Sequence, residues 1–124
     1  MFMIKKVADD RLAQRICGSF YLSGENTFAY GAFSGEDVLA TAAFSQKDKC
    51  VVLEGADTGR RLDIGLVDGM ARAAFNAQKN QGAVYGKLGE NLGREIAMAL
   101  SKLGYEIGKE FELGAFFSKR NCVK

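Results

Sequence analysis

Residues 51–82 read VVLEGADTGRRLDIGLVDGMARAAFNAQKNQG, and this stretch decides the fold. The apolar run Val51-Val52-Leu53 has strand character and passes through Glu54-Gly55-Ala56-Asp57-Thr58-Gly59, a turn, into a long helical pattern. Val67, Met70, Ala71, Ala74 and Ala77 recur at helical spacing and make one apolar stripe, with Asp68, Arg72, Asn76 and Lys79/Asn80 on the opposite face. Asp57 or Thr58 can cap the start, and Gly82 supplies the left-handed residue past the end. A strand running into a helix aims the N–H groups of the first turn beyond the strand's end, a place suited to an anion. Within the helix, Gly65 and Gly69 each cost about 1 kcal/mol relative to Ala. Their presence predicts fraying or close approach of another group, and close packing of helix on strand is the plainer explanation.

The rest of the chain surrounds this unit. At 124 residues, 48% of them hydrophobic, it is read as one domain, residues 1–124, able to fold without staples. Seventeen Lys and Arg against 15 Asp and Glu leave a net charge of +2, too small and too scattered for a nucleic-acid surface. The opening Met1-Phe2-Met3-Ile4-Lys5-Lys6 has its charge after the apolar residues and no long apolar segment behind it, so no signal peptide or membrane span is expected and the expected location is cytoplasmic. Cys17, Cys50 and Cys122 share no short spacing, which predicts reduced thiols and no metal site. Cys50 reads as core, and Cys122, near the terminus, as the candidate for an exposed, reactive thiol. The absence of histidine removes the commonest general base and the usual nucleophile triads, so any catalysis falls to Glu, Asp, Lys, Tyr, Cys or the backbone.

In chain order, Met3 to Val7 reads as a short strand, and Leu12, Ala13, Ile16 and Phe20 as a helix with Asp9 and Asp10 at its positive end. Thr27 to Phe33, Val38 to Phe44 and Cys50 to Glu54 form three strands joined by short polar turns, an antiparallel meander. After the central helix comes a short buried strand, residues 83–87. A second helix then turns Leu92, Ile96, Ala99/Leu100 and Leu103 inward, with Glu90 and Arg94 able to pair outside. Gly104 ends it, with Tyr105 making the apolar contact of the stop. Glu106 to Phe117 reads as a last strand or a bent pair of strands that buries Phe111, Leu113 and one of Phe116 and Phe117, the other covering an edge or a partner. The fold class is α/β, or α+β, with elements in the order β-α-β-β-β-α-β-α-β and a mixed, mainly antiparallel sheet. The strands flanking the central helix must run parallel, and where they diverge a ligand can enter.

This order resembles the GCN5-related N-acetyltransferase (GNAT) superfamily. Residues 70–82 are similar to the part of that family's central helix that follows its pyrophosphate loop and closes on glycine, and residues 93–106 to its next helix with a Gly-Phe-Glu-like ending. The resemblance implies acetyl-CoA or CoA as cofactor, with the pyrophosphate held by backbone amides of a loop of pattern R/Q-x-x-G-x-G/A. In register, that pattern falls on Ile64-Gly65-Leu66-Val67-Asp68-Gly69, where Ile64 replaces the basic or amide residue, Val67 replaces the first motif glycine, Asp68 adds a negative charge and Gly69 fits; an alternative register from Arg60 to Gly65 supplies Arg60 and Gly65 but puts Asp63 on the first motif glycine and shifts the apolar stripe. Leu53 and Gly55 on the preceding strand are implied to line the rest of the cofactor site. Leu100 stands where the family often places the tyrosine that protonates the departing thiolate, and Gly93 where it often places asparagine.

Three residues are the candidates for catalysis: Glu54 at the strand's end to deprotonate an amine, and Tyr85 or Tyr105 as substitute proton donor. Too few residues follow Tyr105 for the family's usual last hairpin, so the substrate walls are incomplete or completed by a second copy, a homodimer with Phe116 and Phe117 as contacts. Three functions are expected from these residues: an acyl-CoA-dependent N-acyltransferase that binds acetyl-CoA at the 64–69 turn for direct attack by an amine, with no assignable substrate; a catalytically inactive module of the same fold that binds a small molecule or a protein; and a thiol-based sensor using Cys122.

Overall fold

The computed structural model describes residues 2–122, with side chains through residue 118. The elements are β1 (Met3–Lys6), α1 (Asp10–Ser19), β2 (Thr27–Ser34), β3 (Asp37–Lys47), β4 (Cys50–Asp57), α2 (Ile64–Asn80), β5 (Tyr85–Leu88), α3 (Arg94–Ser101), β6 (Phe111–Glu112) and α4 (Leu113–Cys122). The expected order of strands and helices is what the chain builds, with α4 added at the end. Among the described residues six strands form one sheet in chain order, antiparallel throughout except between β4 and β5. Tight turns make the meander. Two residues join β3 to β4, and Asp48 there takes a left-handed φ of 56°, the conformation a short hairpin needs and aspartate tolerates.

Alternation along the strands divides the apolar residues between two faces. On one, Ala40, Ala42, Phe44, Val51 and Leu53 meet the stripe of α2, in which Val67, Met70, Ala71 and Ala74 are fully buried together with Phe75. Aromatic rings run through this core. Phe28 stacks on Phe44 (5.2 Å between centroids), Phe44 meets Phe75 edge-on (6.1 Å), and Phe75 leads to Phe111 (5.7 Å) and Tyr105 (6.3 Å). On the other face α1 buries Ile16 and Cys17 against Ala29 and Ala43. Gly55 is needed there, because a Cβ would enter the Phe20 ring.

The structure differs from expectation at two places. Glu106 to Phe117 is not a strand: β6 is two residues long, and α4 follows at once. The burial explains it, since Leu113 and Phe116 are buried and Phe117 is half-buried while Ala115 is exposed, a three-and-four spacing that suits a helix and not alternation. Phe116 therefore belongs to the core, packed on Tyr105 at 4.8 Å. The start of α2 also lies later than Asp57 or Thr58. β4 continues to Asp57, the Thr58 hydroxyl donates to the Arg61 carbonyl (2.6 Å) and accepts from the Asp63 amide (2.9 Å), and Asp63 is the cap, accepting from Leu66 at 3.2 Å. The helix ends as expected, with Gly82 at φ 110°. Gly104 (φ 106°) likewise ends α3, and the Tyr105 amide bonds back to the Leu100 carbonyl at 3.4 Å. Among the described residues, no helix is long and apolar enough to cross a membrane. The side chain of Cys122 lies outside the described residues.

Candidate functional site

The parallel pairing of β4 with β5 runs from Cys50 opposite Tyr85 to Leu53 opposite Leu88, and the last bond along it is from the Gly89 amide to the Leu53 carbonyl at 2.8 Å. Here β5 turns away toward α3. β4 continues through Glu54, Gly55, Ala56 and Asp57, laddered to β3 on one side and, among the described residues, with no strand on the other. The gap thus has one wall of backbone whose hydrogen-bonding edge is unpaired by any strand. Glu54 is also a bulge: Ala43 pairs with Gly55 and Phe44 with Leu53, so Glu54 has no partner on β3. Such an extra residue bends the strand and re-aims a side chain.

The Glu54 carboxylate is partly buried at this opening. Ser45 of β3 donates to its Oε2 at 2.6 Å. On the far side lies Gly89, where a Cβ would stand 2.7 Å from Glu54 Oε1 and 3.0 Å from the Leu53 carbonyl. Position 89 is therefore restricted to glycine if the carboxylate is to lie against β5. Leu53 and Gly55 flank Glu54 on β4. Sequence reasoning placed Glu54 at the strand's end, whereas the strand runs three residues further. It missed Ser45 and Gly89. Hairpin pairing about Asp48-Lys49 would have pointed to Ser45, since it brings Ser45 opposite Val52 and the bulge shifts the contact onward to Glu54.

At the start of α2 the backbone is largely spoken for. The Leu66 amide donates to the Asp63 carbonyl and carboxylate, and the Val67 amide to the Asp63 carbonyl at 3.2 Å. Asp68 and Gly69 already lie within the regular helix, where amides bond four residues back. Of the six residues 64 to 69, only Ile64 and Gly65 precede the first intrahelical donor. The Asp63 carboxylate stands 3.3 Å from where a Gly65 Cβ would be. Gly69 faces β1, because a Cβ there would lie 2.5 Å from Ile4 Cδ1. Asp68 accepts a 2.7 Å hydrogen bond from the Tyr105 hydroxyl.

The three candidate catalytic residues are thereby separated. Tyr105 is 3% exposed, packed among Phe75, Phe111 and Phe116 with its hydroxyl on Asp68. Tyr85 is 41% exposed but opens β5, three residues before the gap and so about 10 Å along the strand. Glu54 alone of the three is at the gap. Of the thiols, burial and the adjacent Glu110 push Cys50 up to about 11 against the pull of Lys87, and burial raises Cys17 despite a hydrogen bond with Thr27. Both stay protonated near neutral pH, which leaves them without nucleophilic thiolate.

No family model and no curated protein matches the sequence. The coordinates, however, superpose on solved acetyltransferases. An IAA acetyltransferase from Bacillus cereus aligns with a TM-score of 0.64 at 16% identity over 88% of this chain and 79% of that one. A GNAT-family acetyltransferase from Streptococcus pneumoniae gives 0.59 at 15% over 86% and 89%. The PaiA N-acetyltransferase of Thermoplasma acidophilum, in complex with coenzyme A, gives 0.59 at 13% over 90% and 96%. The fold is that of the GNAT acetyltransferases. At these identities the likeness is one of backbone, so the chemistry available to this GNAT fold has to be read from its own residues.

Proposed function

We propose that this GNAT-fold chain binds an acyl thioester along the unpaired edge of β4 and acts as an N-acyltransferase on a small amine. The observation that carries the reading is the gap itself, four residues of β4 with no strand on the β5 side, beside a bulged carboxylate. An arm bearing amide groups pairs with a free strand edge much as another strand would. The residues fit such an arm, supplied by Leu53 through Asp57 with Gly89 opposite. They do not fit a tightly held diphosphate, because Asp63 occupies the amides of Leu66 and Val67 and adds a carboxylate where the anion would lie. Coenzyme A is therefore read as held by its arm.

A thioester bound there supplies an activated acyl carbon for attack by an amine. Glu54 accepts the proton shed by the attacking nitrogen. Ser45 occupies Oε2, so the acceptor is Oε1, the oxygen against Gly89. The strand bulge holds the carboxylate at the opening, and Glu54, Ser45 and Gly89 all come from one chain. The reading takes the location to be the cytoplasm, where thiols such as Cys17 and Cys50 stay reduced.

Titration calorimetry with acetyl-CoA and with S-acetyl-pantetheine tests this. Both are expected to bind within about threefold of each other, roughly 0.6 kcal/mol. Heat from neither removes the reading, and acetyl-CoA tighter by about thirtyfold or more would restore the diphosphate cradle. With an amine acceptor, Glu54→Gln is expected to lower transfer by about 10²- to 10⁴-fold.

A second reading, a non-catalytic module of the same fold, is favoured by the position of Tyr105. Its ring is packed in the core and its hydroxyl is already committed to Asp68. Acetylation of any member of an amine panel, lost in Glu54→Gln, would remove this second reading.

A further inference from the structure

β6 pairs only with Tyr85 and Gly86, so the outer edge of β5 from Lys87 onward has no strand beside it. In its place is a cavity of about 420 Å³, within the range of about 300–1,000 Å³ usual for small-molecule sites. Its floor and walls are apolar: Leu88 of β5, Ala97 and Met98 of α3, and Ile107 of the segment returning to β6. Met98 and Ile107 are 46% and 48% exposed, large apolar side chains turned to the same hollow without cover. The charges on its rim are Lys87, Arg94 and Glu90. Gly93, which also lines it, begins α3 at φ 103° with no side chain to cap the first turn. The nearby Lys109 and Glu106 are paired with each other at 3.0 Å.

The cavity is also next to Glu54. Gly89 lines it, and Glu54 Oε1 lies 2.7 Å from where a Cβ on Gly89 would stand. An apolar hollow with two cations and an uncapped helix start on one rim, and carboxylates at Glu90 and beyond Gly89, is complementary to a ligand with three parts. These are an apolar side chain, a carboxylate and an ammonium group.

We propose that this cavity binds a free apolar α-amino acid, with its carboxylate toward Arg94 and Lys87, its side chain over Leu88, Met98 and Ile107, and its amine toward Glu90 and Glu54. As a binding site it stands on the cavity alone. As the seat of the acyl acceptor it rests on the thioester reading above. In that role Glu54 takes one proton from the ammonium group, the freed lone pair forms the bond to the acyl carbon, the carbon–sulfur bond breaks with its electrons on sulfur, and the second proton lost from nitrogen goes to that thiolate.

The test is amide chemical-shift mapping of the full chain with L-leucine, L-leucinamide and 4-methylpentanoate, with no thioester present. L-Leucine is expected to shift the amides of Gly89, Gly93 and Gly108 saturably. Leucinamide, without the carboxylate, and 4-methylpentanoate, without the amine, should each bind about tenfold or more weakly. Arg94→Ala should weaken leucine by about tenfold, and Met98→Glu, at an exposed position where the fold tolerates charge, should abolish its shifts. Unsaturable leucine shifts, shifts that survive Met98→Glu, or leucinamide binding as well as leucine would each overturn the site. Because no thioester takes part, failure of acetyl-CoA to bind leaves this result readable. Leucine seated beside a bound thioester yet never acetylated would overturn its role as acceptor while leaving the thioester site in place.

Discussion

Beside Glu54 and Asp57 the backbone of β4 keeps one edge without a strand, whereas six residues further on the backbone that opens α2 has had its hydrogen bonds met by Asp63. The two regions belong to one strand-loop-helix unit, and their difference has a physical origin. The gap is a product of topology. A parallel pair needs a helical crossover, and once β5 turns off at Gly89 the rest of β4 must lie open whatever its side chains are. The helix start depends on particular residues. Asp63 in extended conformation caps the turn, Ile4 fills the space over Gly69, and Asp68 is taken by Tyr105. What packing enforces is retained, and what a few side chains decide has been decided otherwise.

Substitutions at four positions would break or sharpen this contrast. Gly89→Ala acts on the open side: its Cβ would press the Glu54 carboxylate and the Leu53 carbonyl, of which only the carboxylate can swing away. A loss of about 100-fold in thioester binding, about 2.7 kcal/mol, is expected by calorimetry, with about 1–3 kcal/mol of stability lost in urea melts. Unchanged binding would show that the gap is not the site. Tyr105→Phe acts on the closed side, deleting a partly buried hydrogen bond to a carboxylate. About 1–3 kcal/mol of stability should go, with thioester binding unchanged. Weaker binding at equal stability would return Tyr105 to the chemistry.

Asp63 permits a finer comparison. Asp63→Ala removes the cap and is expected to cost about 1 kcal/mol. Asp63→Asn keeps the cap but removes the charge, so acetyl-CoA should gain about two- to fivefold over S-acetyl-pantetheine by calorimetry. The smallest effect is expected at Gly69. Gly69→Ala gains about 1 kcal/mol of helix propensity and spends it moving the tip of Ile4, for a net change within about 0.5 kcal/mol and no change in binding. Loss of acetyl-CoA affinity in that variant, with its melting unchanged, would show that Gly69 approaches a phosphate after all.

The apolar spacing of Val67, Met70, Ala71 and Ala74 made α2 legible, and the glycines at 82 and 104 marked two helix ends correctly because only their backbone freedom suits those places. The parallel pair, and hence the gap, followed from element order. Harder to see was α4, where Phe111, Leu113 and Phe117 imitate the alternation of a strand and the decisive spacing of Leu113 to Phe116 is a single interval. Gly69 could be read two ways because a glycine shows that something comes close without showing what, and its neighbour, Ile4, lies 65 residues earlier. The Ser45–Glu54 contact needs the hairpin register to be seen, since Ser45 faces Val52 and reaches the residue two further along β4. Glu90 and Arg94, spaced to pair on one helix, do not share it: α3 opens only at Arg94, and both residues line the cavity beside it.

The sheet has two outer margins, and they are finished differently. β6 offers two residues before α4 carries the chain away, and β1 turns out Lys5 and Lys6, whose ammonium groups sit over the Phe33 and Phe28 rings at 5.3 Å. Fibril growth, which extends one sheet from molecule to molecule, would find hardly any backbone to template on at one margin and a pair of positive charges at the other.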